Sequence, residues 1–303
     1  MVALETVHGL FILSGGSAMT TKFKSAAFAA SLLACAAVAA PAAAGVVVFD
    51  NVHGSWSAAV PGSGISIDND NPTSTVSWGN PTINGHQSSY SFTGSDVTTP
   101  NIVSGGGAGP FQLGEFQHNN WPITGTSLSS VNLTFSADIW IDGNDIGTKS
   151  FEFTFYHHET PNGGNYWGQC AYGGQSGSGM NLYGCADKVS VETNALNNQF
   201  TFGADTYTLD IAGFYSGGVL SEDFLTQENG LKTVEYWEKT KHGWKKKTKK
   251  VEDVFPNKAY IMGEVSMITS AVPEPATWAM MLVGFFGAGT MIRSTRRRTA
   301  AAA

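Results

Sequence analysis

The sequence predicts an all-β fold, an antiparallel β-sandwich of jelly-roll type, and three observations carry that prediction. Apolar and polar residues alternate at period two through the middle of the 303-residue chain, glycine is abundant at 36 residues, and charged residues make up only 14%. Period two marks strands with one face in a core and one in water, and clusters of Gly, Asn and Ser supply the turns between them. No long stretch of this middle region carries a helical period, so packing sheet on sheet is the way left to bury the apolar face.

The chain begins with segments that belong to no core. Lys22 and Lys24 precede an apolar stretch over residues 26–40, and Ala42 and Ala44 give the small-x-small pattern of a cut after Ala44. Residues 19–44 therefore read as a secretory signal peptide. Glu5 and His8 do not suit such a leader, which points to Met19 as initiator and makes residues 1–18 an upstream extension. A second reading takes residues 32–35 as a lipoprotein cleavage site with lipid on Cys35.

Residues 45–270 form the expected sandwich, large enough for one substantial core. In "SVNLTFSADIWID", Val131, Leu133, Phe135, Ala137, Ile139 and Ile141 share one face, and Asn132, Thr134, Ser136, Asp138 and Trp140 the other. "KSFEFTFY" repeats the pattern with Phe151, Phe153 and Phe155 inward, so His157 falls on the inner face while His158 points out with Tyr156. Consecutive strand histidines point apart and cannot chelate one ion without a turn. "GGGAGP", residues 105–110, reads as a linker. Once the leader is removed, Cys170 and Cys185 remain as an even pair across a glycine-rich spacer and are expected to form a disulfide.

Candidate chemistry in this region is sparse. "DIWIDGNDIG" offers Asp138, Asp142, Asn144 and Asp145 as oxygen donors for calcium, although the spacing is not that of an EF-hand and Asp142-Gly143 equally reads as a hairpin turn. No other cofactor is expected. No nucleophile elbow, zinc-protease helix or phosphate loop is present, and no acid pair stands out for glycoside hydrolysis, so no catalytic residue is assigned. Trp56, Trp78, Trp121, Trp140, Tyr166 and Trp167 divide between core packing and sugar-stacking platforms.

Between residues 45 and 271 there are 11 lysines against 22 acids, which argues against nucleic acid as a partner. Seven of those lysines, Lys239, Lys241, Lys245, Lys246, Lys247, Lys249 and Lys250, fall within twelve residues. A hairpin turned at His242-Gly243 would place them either as guards of a sheet edge or as contacts for an anionic polysaccharide.

The end of the chain returns to membrane physics. Residues 276–292 hold 17 positions without a charge, at the lower limit of the roughly 17–25 that span a bilayer as a helix. Trp278 stands at one end, and Arg293, Arg296, Arg297 and Arg298 at the other hold that end in the cytoplasm. Pro273-Glu274-Pro275 keeps the strip before this helix extended. Residues 271–298, from the Pro-Glu-Pro triplet through Trp278-Ala279-Met280-Met281 and Gly284-Phe285 to the arginines, resemble the PEP-CTERM sorting signal of Gram-negative bacteria. The resemblance implies export, a transient stay in the inner membrane, and processing by an exosortase near the triplet. It further implies release to the cell surface or extracellular matrix.

"LGEFQHNNWPI" (residues 113–123) and "FEFTFYHHETPN" (151–162) ahead of "CADKV" resemble the THxN family of PEP-CTERM proteins, with Gln117 in place of the motif threonine and His118 and Asn120 retained. That family implies no biochemical activity. The expectation is a non-enzymatic, disulfide-linked surface or matrix protein associated with exopolysaccharide; the alternatives are a glycan-binding module with a calcium-stabilised fold and, third, a polysaccharide hydrolase.

Overall fold

The computed structural model describes residues 45–103, 105–192, 198–269 and 280–289. The leader (19–44) and the extension before it, Pro273, Glu274, Pro275 and Trp278, and Arg293, Arg296, Arg297 and Arg298 lie outside the described residues. Residues 280–289 form an exposed helix, and the rest of the expected span 276–292 is also outside. No described helix is long and apolar enough to cross a membrane.

The first nine strands are β1 (Val47–Val60), β2 (Ile65–Asp68), β3 (Thr73–Trp78), β4 (Asn80–Pro81), β5 (Ser88–Gly94), β6 (Val97–Thr98), β7 (Gly107–Asn119), β8 (Ile123–Thr124) and β9 (Ser130–Ile141). The remainder are β10 (Asn144–His158), β11 (Asp187–Glu192), β12 (Gln199–Phe202), β13 (Asp205–Ser216), β14 (Val219–Ser221), β15 (Asp223–Thr226), β16 (Gly230–Thr240), β17 (Gly243–Asp253) and β18 (Lys258–Thr269). One antiparallel sheet runs β15-β11-β10-β9-β1-β6, and a second runs β12-β13-β18-β7-β5-β3-β2 with β14 on β13. Two small sheets, β16-β17 and β4-β8, stand apart from both.

The large sheets face each other across one core. Phe92 of β5 meets Phe135 of β9 edge-on at 4.9 Å, and Phe116 of β7 stacks on Phe155 of β10 at 5.8 Å. Trp56 of β1 lies against Tyr90 of β5 at 6.1 Å. The alternation read from the sequence holds along β9 and β10: Val131 to Ile141 and Phe151 to Phe155 are buried at every second position, His157 continues the inner face and His158 is exposed. Each fully buried aromatic of this kind contributes roughly 1.5–3 kcal/mol of transfer free energy, which is why the pattern decides the register.

One expectation is corrected. The glycine run at 105–110 is not a linker, because β7 starts at Gly107 and pairs with β18. A Cβ on Gly107 would lie 2.8 Å from the Val265 carbonyl oxygen, and one on Gly109 would lie 2.6 Å from Glu264 Cβ. The glycines there permit close strand approach and do not signal a break.

Cys170 and Cys185 form the expected disulfide, with Cα atoms 5.3 Å apart. It closes a loop that leads directly into β11. Thr160 Oγ1 lies 2.9 Å from the Cys185 carbonyl oxygen and 3.0 Å from Asp187 Oδ1, so the bridge is anchored beside a buried acid.

Candidate functional site

The seven clustered lysines occupy the hairpin β16-β17, which turns at Lys241-His242 and borders neither large sheet. Facing pairs in an antiparallel ladder share a side. Trp237 faces Lys246, and Lys239 faces Trp244 in a neighbouring pair on the same side. Two indoles and two ammonium groups thus alternate diagonally on one surface, with Trp237 63% and Trp244 66% exposed. Glu235 holds Lys246 at 2.5 Å, and Glu238 holds Lys247 and raises its pKa through a hydrogen bond. Lys249 sits over the Tyr236 ring at 5.8 Å. Lys239, Lys241, Lys245 and Lys250 make no ion pair among the described residues.

Among the described residues, side-chain bonds anchor the base of this hairpin. Asp253 accepts from Lys232 Nζ at 2.6 Å and from Tyr183 Oη at 2.9 Å. Glu252 accepts from Asn84 Nδ2 at 2.7 Å and lies 3.0 Å from His86 Nε2, and these bonds lower its pKa, the Asn84 bond most. Gly230 packs so closely on Tyr183 that a Cβ would sit 2.2 Å from the ring.

The four expected calcium donors lie at the β9–β10 turn and are otherwise engaged. Asp142 and Gly143 adopt φ of 50° and 78°, the left-handed pair of a tight hairpin turn. Asp142 Oδ1 accepts from the Val46 amide at 2.8 Å, Asp145 Oδ1 from the Gly147 amide at 2.7 Å, and Asp138 Oδ1 from Thr148 Oγ1 at 2.5 Å. Asn144 turns its amide nitrogen to the Ile141 carbonyl.

A different set of groups converges at the opposite end of β10. The strand stops at His158, which lets Glu159 fold back onto His157 at 3.1 Å. Ligand atoms of His157, Glu159 and Asp187 all lie within 4.8 Å of one another, the one such His/Cys/Asp/Glu group among the described residues. His157 Nδ1 is 2.5 Å from Tyr90 Oη, and the His118 and His157 rings meet at right angles 5.3 Å apart. Trp78 packs against both imidazoles. Asn120 Nδ2 donates to the Thr226 carbonyl, and the Asn229 amide donates to the Asn120 carbonyl, which holds residues 226–229 against the end of β7. The two stretches that carry the THxN resemblance, together with the start of β11, therefore meet here.

Burial dominates the electrostatics of this end. It pushes the Asp187 carboxyl up to about 7, helped by Glu159 and opposed by His157 and the Thr160 hydrogen bonds. It pushes Glu228 up to about 9, with Asp187 and Glu159 adding to the rise. It also holds His118 well below the ordinary imidazole range, with His157 contributing. Among the described residues no lysine or arginine pairs with Glu159, Asp187 or Glu228.

Sequence reasoning placed His157 and the lysine hairpin but missed Glu228 and the inward turn of His118. The His118 signal was present: it follows the buried Phe116 at strand spacing, just as His157 follows Phe155. Glu228 sits in "TQENG", which reads as a polar turn and not as a buried acid. Of the aromatic candidates, Trp56, Trp78 and Trp121 are buried, while Trp140, Tyr166 and Trp167 are exposed.

No protein-family model matches the chain, and no curated protein matches it.

Proposed function

We propose that this chain is an exported, non-enzymatic cell-surface or matrix protein, processed through its C-terminal signal by an exosortase and associated with an anionic exopolysaccharide through the β16–β17 hairpin. The observation that carries the reading is the diagonal of exposed Trp237 and Trp244 with Lys239 and Lys246 on one hairpin face. An indole offers an apolar platform for the face of a sugar ring, and a neighbouring ammonium engages a carboxylate or sulfate on the same chain. The hairpin carries eight lysines and four acids on a protein of net charge −7, so attraction for an anionic polymer concentrates there. The disulfide supports maturation outside the cytoplasm. The same reading keeps the leader over 19–44, the membrane helix over 276–292 and a jelly-roll connectivity, the last supported by the pairing of chain-distant strands β1 with β9 and β7 with β18.

Retention of the full chain on covalently immobilised alginate tests the polymer contact, with neutral cellulose as control. Binding is expected to weaken as salt rises from 0.1 M to 1 M and the Debye length falls from about 10 Å to about 3 Å. Lys239→Glu with Lys246→Glu, or Trp237→Ala with Trp244→Ala, should each abolish it. Salt-insensitive retention of the glutamate variant would end the proposal. Sorting is tested separately: replacing Pro273, Glu274 and Pro275 by alanine should leave the full-length protein in the inner membrane, and undiminished release would remove the exosortase from the account.

A further inference from the structure

The polar end of the core holds more acceptors than donors. His118 Nε2, Asp187 Oδ2, Asn120 Oδ1 and Asn162 Oδ1 are buried without a hydrogen-bond partner, as are the donors Trp78 Nε1 and Asn229 Nδ2. An unmet buried acceptor costs about 1–3 kcal/mol, so the bare Asp187 oxygen beside His157 and Glu159 calls for a positive partner.

The Thr226 hydroxyl lies 2.8 Å from His118 Nδ1 and 3.3 Å from the Asp187 carbonyl oxygen, and His118 Nε2 is buried with no hydrogen-bond partner. His157 is held in the same manner, its Nδ1 on the Tyr90 hydroxyl and its Nε2 turned to the acids. A hydrogen bond on one ring nitrogen fixes the orientation of the imidazole, as it does in metal-ligating histidines.

We infer that His157 Nε2, Glu159 and the free oxygen of Asp187 form a binding site for one divalent metal ion of the zinc class, bordered by His118 and Glu228. The ligand atoms of the three residues lie within 4.8 Å of one another, so small side-chain shifts would bring them to the span of about 3.3 Å between two ligands on a tetrahedral ion with bonds of about 2.0–2.1 Å. An imidazole among carboxylates selects zinc over calcium, which prefers six to eight oxygens. Entry is open, because the Glu159 side chain is 29% exposed while His157 is sealed. The ion would offset the charge of Asp187 and Glu159, with which no lysine or arginine among the described residues pairs. This site is independent of the hairpin and of the polymer contact.

The full chain, stripped with a chelator and dialysed against Zn²⁺ alone, is expected to retain one ion per molecule, to release protons as it binds, and to melt at a higher temperature. Glu159→Gln changes a partly exposed side chain with little effect on folding and should weaken zinc affinity at least tenfold; Asp187→Asn should abolish binding. Asp138→Asn at the distant β9–β10 turn should bind as the unchanged protein does. Zinc retention no higher than the chelator blank, wild-type affinity in Glu159→Gln, or loss of binding in Asp138→Asn would each overturn the site.

Discussion

At the β9–β10 turn, Asp138, Asp142 and Asp145 each accept a short hydrogen bond from a neighbouring amide or hydroxyl, whereas in the polar end of the core Glu228 is withdrawn from water and Asp187 leaves one oxygen bare. Both regions gather acids and amides within a short reach. The turn uses its acids to fix backbone at the surface, where water covers any remaining lone pair. The core end withdraws its acids from water and gives them too few donors. Acid density in a sequence therefore does not tell which acids the fold will satisfy.

Truncation of the aromatic packing should separate the two regions most strongly. Trp78 is fully buried against both imidazoles, so Trp78→Ala is expected to lower stability by about 3–5 kcal/mol. Trp140, 36% exposed on the outer face before the turn, should lose under about 0.5 kcal/mol on the same change. Urea unfolding of the full chain measures both, and equal losses would break the contrast.

Covalent support comes next. The core end is tied by Cys170–Cys185 and the turn has no such tie, so Cys170→Ser should cost on the order of 3 kcal/mol for a loop of 15 residues. The native protein should show no reactive thiol at either position, which thiol labelling checks.

The pH response of the core end rests on Glu228. Glu228 keeps its proton in the folded, metal-free protein to about 9, while the unfolded chain releases it near 4.5. Its contribution is thus full below the unfolded value and is lost as pH rises toward 9. Between pH 7.5 and 9 Asp187 and His118 no longer differ much in bound protons between the two states, so Glu228 sets the slope for this cluster. Chelator-treated protein should lose on the order of 1 kcal/mol per pH unit there, and Glu228→Gln should flatten the curve. Asp138→Asn should leave the slope unchanged.

The smallest effect belongs to the turn itself. Asp142→Ala removes the acceptor for the Val46 amide and places a Cβ-bearing apolar residue at φ of 50°, for a loss of about 1 kcal/mol in the same unfolding measurement. A loss several times larger would mean that the turn acids do more than hold backbone.

Much of the sandwich was legible because period two is a direct consequence of burial. The faces of β9 and β10, the disulfide and the Asp142-Gly143 turn all follow from local spacing. The strand at Gly107 was not legible, since closeness to Val265 and Glu264, far along the chain, is what requires glycine there. The core cluster was half legible. His157 follows from its phase with Phe155, but Glu228 becomes a buried acid only because residues 226–229 fold against the end of β7. No local pattern in "TQENG" records that partner. The lysine hairpin was visible as a charge run, while the shared face of Trp237 and Trp244 depends on a pairing register that the turn alone sets.

The base of that hairpin has a further consequence. Gly230 and Asp253 are register partners, which places their Cα atoms about 5 Å apart, and no residue between them belongs to the hydrophobic core. The two eleven-residue strands reach on the order of 35 Å. Everything past the base is in effect a graft. It can be trimmed by a protease at its many lysines, shortened to a two-residue turn, or exchanged for an arm of different chemistry while the sandwich beneath stays closed. Selection on what the arm touches can proceed without renegotiating the fold that carries it.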